Sequence, residues 1–150
     1  MKALSVYQPW ATLIAIGAKR FETRPWLTHH RGPLAIQAGL KKPPTSWDLR
    51  GPVVEAVVEA LGGDAWEDLP RGAIVGIVKV VRCDETSRAI RHIGVSYHDQ
   101  LFGDWTPGRY AWQLTNNYAF IKPIECLGRQ RLFNLPADIE TQVGCVWSKR

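Results

Sequence analysis

The chain has 150 residues, 45% of them hydrophobic and 22% charged, with a formal net charge of +5. These values describe a globular domain large enough to bury a core of its own. No run approaches a membrane span, and the N-terminus lacks the apolar stretch of a secretory leader, so a single cytoplasmic domain over residues 1–150 is expected. Cys83, Cys126 and Cys145 are odd in number and widely spaced, with no C-x-x-C pair, which argues against a disulfide framework and a zinc ribbon.

Residues 3–7 alternate as a strand. Pro9 is suited to the first turn of a helix that carries Trp10, Leu13, Ile14 and Ile16, and Gly17 is placed to end it in a left-handed cap. A short strand is expected over Lys19–Arg24 and a second over Pro33–Gln37, with His29 and His30 in the loop between them. Neighbouring side chains on extended backbone point to opposite faces, so the two histidines do not form a metal pair. Lys41-Lys42-Pro43-Pro44 reads as an extended linker. From Pro52, an apolar stripe of Val53, Val54, Val57, Val58 and Leu61 predicts a helix stopped by Gly62-Gly63, its apolar face turned to the core.

Ala73–Val81 is rich in β-branched residues and predicts a strand, with a turn at Gly72 and a bend or bulge at Gly76. The polar stretch 86–102 has room for short helices. Tyr110, Trp112 and Leu114 alternate, as do Ala119 and Ile121, so two strands joined near Asn116-Asn117 are expected. Short strands follow at 124–127 and 131–133, then a helix over Pro136–Val143 and a frayed Lys149-Arg150 end. Many short strands with interspersed helices predict an α+β fold, a small, partly closed β-barrel decorated by helices; a parallel α/β sheet is the alternative. No G-x-G-x-x-G or G-x-x-x-x-G-K-S/T follows a strand, and no metal or cofactor is expected.

Charge is informative when divided by region. The first fifty residues hold eight Lys or Arg against Glu22 and Asp48, whereas the remaining hundred hold eleven bases against twelve acids. A localised positive field attracts polyanions. The densest cluster is Gly17 to Trp26. As a strand, its period of two puts Arg20, Glu22 and Arg24 on one face and Phe21 and Thr23 on the other, so that the carboxylate lies between two guanidinium groups. That pattern serves either as a frame holding arginines toward a phosphate or base, or as an exposed ladder of weak ion pairs.

Gly17, Lys19, Glu22 and Arg24 spell G-x-K-x-x-E-x-R, which resembles the signature of the ASCH (activating signal cointegrator homology) domains. The resemblance continues through Gln8-Pro9-Trp10-Ala11, Trp26, His30-Arg31-Gly32 and Lys41-Lys42-Pro43, and downstream through Tyr110-Ala111-Trp112 and Lys122-Pro123-Ile124. It covers most of the chain and is most specific over residues 4–43. It implies a PUA-like β-barrel with helices around a cleft lined by the signature residues. It also implies a link to nucleic acid: members of the group are associated with binding RNA or DNA, with ribonuclease activity and with hydrolysis of acetylated cytidine.

Two functional readings are open. For binding, Lys19, Arg20, Arg24, Arg31, Lys41 and Lys42 supply cations for phosphates, while Trp10 and Trp26 are the candidate stacking surfaces. Trp26 is expected to be the more exposed of the two, and the other five tryptophans are assigned to packing. The expected partner is single-stranded RNA, with DNA as the alternative, and no membrane. For catalysis, Glu22 is the candidate general base toward a ribose hydroxyl, with Lys19 or Arg24 stabilising the phosphorane. The acetylcytidine hydrolases resembled here carry a threonine three residues after the lysine; position 22 is Glu, and Thr23 falls on the other strand face. A protein-docking module would show an apolar stripe beyond the core pattern, and none is seen.

Overall fold

The computed structural model describes residues 1–44, 49, 51–63 and 66–148. Trp47, Asp48, Arg50, Lys149 and Arg150 lie outside the described residues. The strands are β1 (Lys2–Val6), β2 (Phe21–Arg24), β3 (Gly32–Ala38), β4 (Ala73–Glu85), β5 (Tyr110–Glu125) and β6 (Leu132–Asn134). They form one sheet in the order β2-β5-β4-β3-β1-β6. Among the described residues, only β1 and β3 run parallel; the other neighbours are antiparallel. The described helices are α1 (Trp10–Ala15), α2 (Pro52–Leu61), α3 (Thr86–His92), α4 (Tyr97–Leu101) and α5 (Ala137–Trp147), with a 3-10 turn over Trp66–Asp68.

Strand periodicity decides which face each side chain covers. Leu4 and Val6 of β1 join Leu34, Ile36 and Ala38 of β3 on the face covered by α1, while Ala3 and Ala35 point to the opposite face, covered by α5. Strict alternation fails in β4. Ile74 and Ile77 share the α5 face, and Val75 and Val78 share the α1 face, although each pair is three residues apart. The register shift between Ile74 and Gly76 absorbs the extra residue. At Gly76 a Cβ would stand 2.5 Å from the Tyr118 carbonyl oxygen and 2.9 Å from the Ala15 methyl, so only glycine fits this crossing. Three such shifts along β4 and β5 curl the sheet into a half-barrel. The α+β barrel-like expectation holds; the α/β alternative does not.

One expectation is overturned. Residues 110–125 do not form two strands around Asn116-Asn117 but a single strand, β5, paired with β4 along its length. Asn116 does adopt a left-handed conformation, φ 50°, yet it makes a bulge rather than a turn. Thirteen residues of β4 offer a continuous template, and ladder bonds on both sides of the bulge outweigh the local turn preference. The 124–127 strand expected separately is the end of β5. Trp66 and Trp112 are buried in the core, as assigned.

Candidate functional site

The signature residues are delivered by the way α1 ends. Gln8, fully buried, holds the helix start: its Oε1 accepts the Thr12 N–H at 3.0 Å, and its Nε2 donates to Thr12 Oγ1 and to the Pro70 carbonyl, both at 2.8 Å. At the other end Gly17 takes φ 86°, a conformation that disfavours any side chain, and Asn117 Nδ2 donates to the Ile14 carbonyl at 2.6 Å. The Lys19 N–H returns to the Leu13 carbonyl at 2.9 Å. This hook aims the Lys19 side chain inward, and β2 begins two residues later along the edge of the sheet.

Lys19, Glu22 and Arg24 then meet. Glu22 Oε2 is 3.4 Å from Lys19 Nζ, and Glu22 Oε1 accepts from Arg24 Nε at 2.8 Å. Lys19 is only 2% exposed and also donates to the Phe102 carbonyl. Arg24 Nη2 donates to the Ser5 carbonyl at 2.9 Å, which fixes the guanidinium across the ends of β1 and β2. Burial lowers the Lys19 pKa from 10.5; the Glu22 carboxylate opposes the shift without cancelling it.

These groups line a cavity of about 560 Å³. Tyr7, Trp10, Phe102, Gly103, Asp104 and Arg109 complete the lining. The Trp10 and Phe102 rings are 5.9 Å apart between centroids. Thr23 packs on the strand face opposite Glu22, as alternation requires, and still borders the cavity because the 102–104 segment wraps over the edge of β2. Its Oγ1 accepts the Asp104 N–H at 3.1 Å, and its carbonyl accepts from Arg109 Nη2 at 3.2 Å.

The expected Arg20–Glu22–Arg24 ladder is not formed. Arg20 precedes β2 and turns to the outer flank, where its Nε donates to Asp99 Oδ1 at 3.0 Å and its Nη2 to Asp99 Oδ2. Asp99 is buried, and its carboxylate also accepts from the Ser96 N–H and hydroxyl in a capping box that starts α4. Arg20 therefore belongs to a fold-closing pair, and Lys19 takes its place beside Glu22. The other cations divide as follows. Lys41 lies 5.3 Å from the centre of the Tyr7 ring, at the rim. Arg31 is spent on the Thr28 and His30 carbonyls, away from the cavity. Lys42 is exposed.

Of the two tryptophans only Trp10 reaches the cavity. Trp26, expected to be the more exposed, is half-buried, edge-on to Trp112 at 4.7 Å with Arg131 over its ring at 5.3 Å. Tyr7, Phe102, Asp104 and Arg109 were not foreseen. Tyr7 had a signal, an aromatic residue where a strand ends before Gln8-Pro9; the others come from sequence about eighty residues away and had none.

The sequence profile of the ASCH domain matches residues 4–125, which include every cavity residue named above. The chain belongs to the ASCH domain family. Activating signal cointegrator 1 of Homo sapiens is 41% identical over 83 residues, which span 53% of this chain and 14% of that protein. The Mus musculus protein of the same name is 39% identical over 83 residues, again 14% of its length. This chain thus matches only a small part of these longer relatives. The ASCH protein of Zymomonas mobilis has the same fold, with a TM-score of 0.54, 18% identity, and coverage of 97% of this chain and 93% of that one. A point variant of that protein aligns with a TM-score of 0.56 at 14% identity, covering 97% and 96% of the two chains. ASCH domains as a group are associated with RNA binding.

Proposed function

We propose that this ASCH domain binds single-stranded nucleic acid, RNA in preference to DNA, in the Lys19–Glu22 cavity, and that residues 1–150 act as one binding domain. The observation that carries the reading is the meeting, in one cavity, of an aromatic wall with cations. Tyr7, Trp10 and Phe102 offer flat apolar surface to bases; Arg24, Arg109 and, at the rim, Lys41 offer charge to phosphates. Lys19 contributes differently from a surface cation. Buried, it holds Glu22 and the Phe102 carbonyl in place and lends the cavity positive potential from beneath. Titration of matched RNA and DNA strands at low and moderate salt tests the reading. Affinity should fall with salt and favour RNA; affinity indifferent to salt would remove the electrostatic part of the proposal.

A hydrolytic reading has one observation in its favour. An amine with a lowered pKa beside a carboxylate in a cleft is an arrangement that catalytic sites use. Glu22→Gln separates the two readings when strand binding and RNA cleavage are followed on one preparation. A binding site keeps or slightly gains affinity, because a negative charge leaves a basic cavity. A ribonuclease using Glu22 as base keeps its binding and loses about a hundredfold in rate. We favour binding: both Glu22 oxygens face cations that hold them, Lys19 and Arg24, which fits a buttress.

A further inference from the structure

The cavity does not end at Arg24. Tyr7 and Arg24 also border a second chamber, of about 600 Å³, enclosed by Ser5, Gln37 and the segment from Leu127 to Arg131 that joins β5 to β6. Its inner wall holds an open hydrogen-bonding position. Gln37 is 0% exposed and its Nε2 donates to the Ala38 and Cys126 carbonyls at 2.8 and 2.9 Å. Its Oε1, and the neighbouring Ser5 Oγ, are buried with no hydrogen-bond partner among the described residues. Buried polar atoms in a folded chain are nearly always satisfied, so two adjacent oxygens left open mark a place where an outside donor fits.

The rest of the chamber matches a nucleotide. Arg129 and Arg131 are exposed on its outer side. Tyr7, 55% exposed, stands between the two chambers as a stacking surface, with Arg24 at the same junction. Both open oxygens lie under Gly128, where a Cβ would collide with each of them. Access therefore requires the 127–131 segment to shift. That segment belongs to no helix or strand and is exposed throughout, so its movement breaks no ladder.

We propose that this chamber is a subsite for the adjacent nucleotide, with one base on either side of Tyr7 and the linking phosphate at Arg24. The ligand is then a single strand of at least two nucleotides, not a free nucleoside or mononucleotide. A base N–H donor would complete Gln37 Oε1 and Ser5 Oγ. The inference rests on the nucleic-acid reading of the first chamber.

The test is titration of the full chain with 5′-mononucleotides, dinucleotides and a longer homopolymer RNA. The dinucleotide should bind at least about tenfold more tightly than the mononucleotide. The double change Arg129→Gln, Arg131→Gln, on exposed side chains, should abolish most of that step and leave mononucleotide affinity within about twofold. Ser5→Ala deletes an oxygen that has no partner, so it should leave the melting temperature unchanged and lower dinucleotide affinity about threefold or more. Equal affinity for mononucleotide and dinucleotide, or a step that survives the arginine changes, overturns the subsite and leaves the first chamber's reading intact. Failure of every strand to bind, the homopolymer included, overturns the nucleic-acid reading and the subsite with it.

Discussion

Lys19 and Arg20 are neighbours in the signature and have opposite fates. Lys19 enters the cavity, loses its water and meets Glu22 and the Phe102 carbonyl. Arg20 leaves by the outer flank, stays half-exposed and closes onto Asp99. Both are positive charges in the same basic stretch, yet one shapes a ligand site and the other fastens α4 to the edge of the sheet. The difference teaches that charge counted along a chain is not charge presented to a partner. Of the six cations expected to bind phosphate, Lys19 is buried, Arg20 and Arg31 are committed to carboxylate or carbonyl partners elsewhere, Lys42 is exposed, and Arg24 and Lys41 stay beside the cavity.

The comparison breaks most readily at Lys19. Lys19→Met should cost about 3 kcal/mol of stability in a denaturant titration, since it strips a buried carboxylate of one of its two cations. It should also carry a pH signature. The folded pKa of Lys19 lies below 10.5, so between the two values the unfolded chain binds more protons and stability rises with pH. That rise should be absent in the Lys19→Met protein. An unchanged slope would mean that the buried amine is not what the alkaline limb reports.

Arg24→Ala should weaken strand binding about tenfold, or about 1.4 kcal/mol, with a smaller effect on stability, because its guanidinium lies open to both chambers. Arg20→Ala should do the reverse. We expect about 1 kcal/mol of lost stability and strand affinity within about twofold of the original. Here too pH sharpens the contrast. Burial raises the Asp99 pKa, but the Arg20 guanidinium and the Ser96 donors outweigh it and hold the carboxyl below 3.8. The stabilisation is therefore present above 3.8 and lost as pH falls through the folded value. The gap between the original protein and Arg20→Ala, measured by urea unfolding, should close on acidification below that point. The smallest effect belongs to Arg31→Ala and Lys42→Ala. Each should change strand affinity by less than about threefold, and only through the long-range field. A larger loss at either would show that the strand leaves the cavity along their side.

Much of this fold is legible from near neighbours in the chain. The turn at Gly17, the stripe of α2 and the alternation in β1 and β3 depend on local backbone preference and on period, both written in a few residues. The hook that delivers Lys19 follows from them, and G-x-K-x-x-E-x-R carries the family. The face on which Arg20 would lie was not legible, because period two holds only inside a strand and β2 starts after it. Nor was the continuity of β5, since an Asn-Asn pair specifies a turn only when no partner strand is long enough to pair across it.

What the sequence by itself determined is most of the elements, the basic N-terminal region and the Trp10, Lys19, Glu22 and Arg24 part of the cavity lining. What only the tertiary structure decided is the rest of that lining. Phe102 reaches Lys19 across 83 residues of chain, Asp99 draws Arg20 away across 79, and Gln37 comes under Gly128 where the connection after β5 reaches β3. Those meetings depend on how the bulged sheet curls and on where the 86–109 connection crosses its edge. They are sums of many weak contacts over the whole core, and no local window of residues holds them.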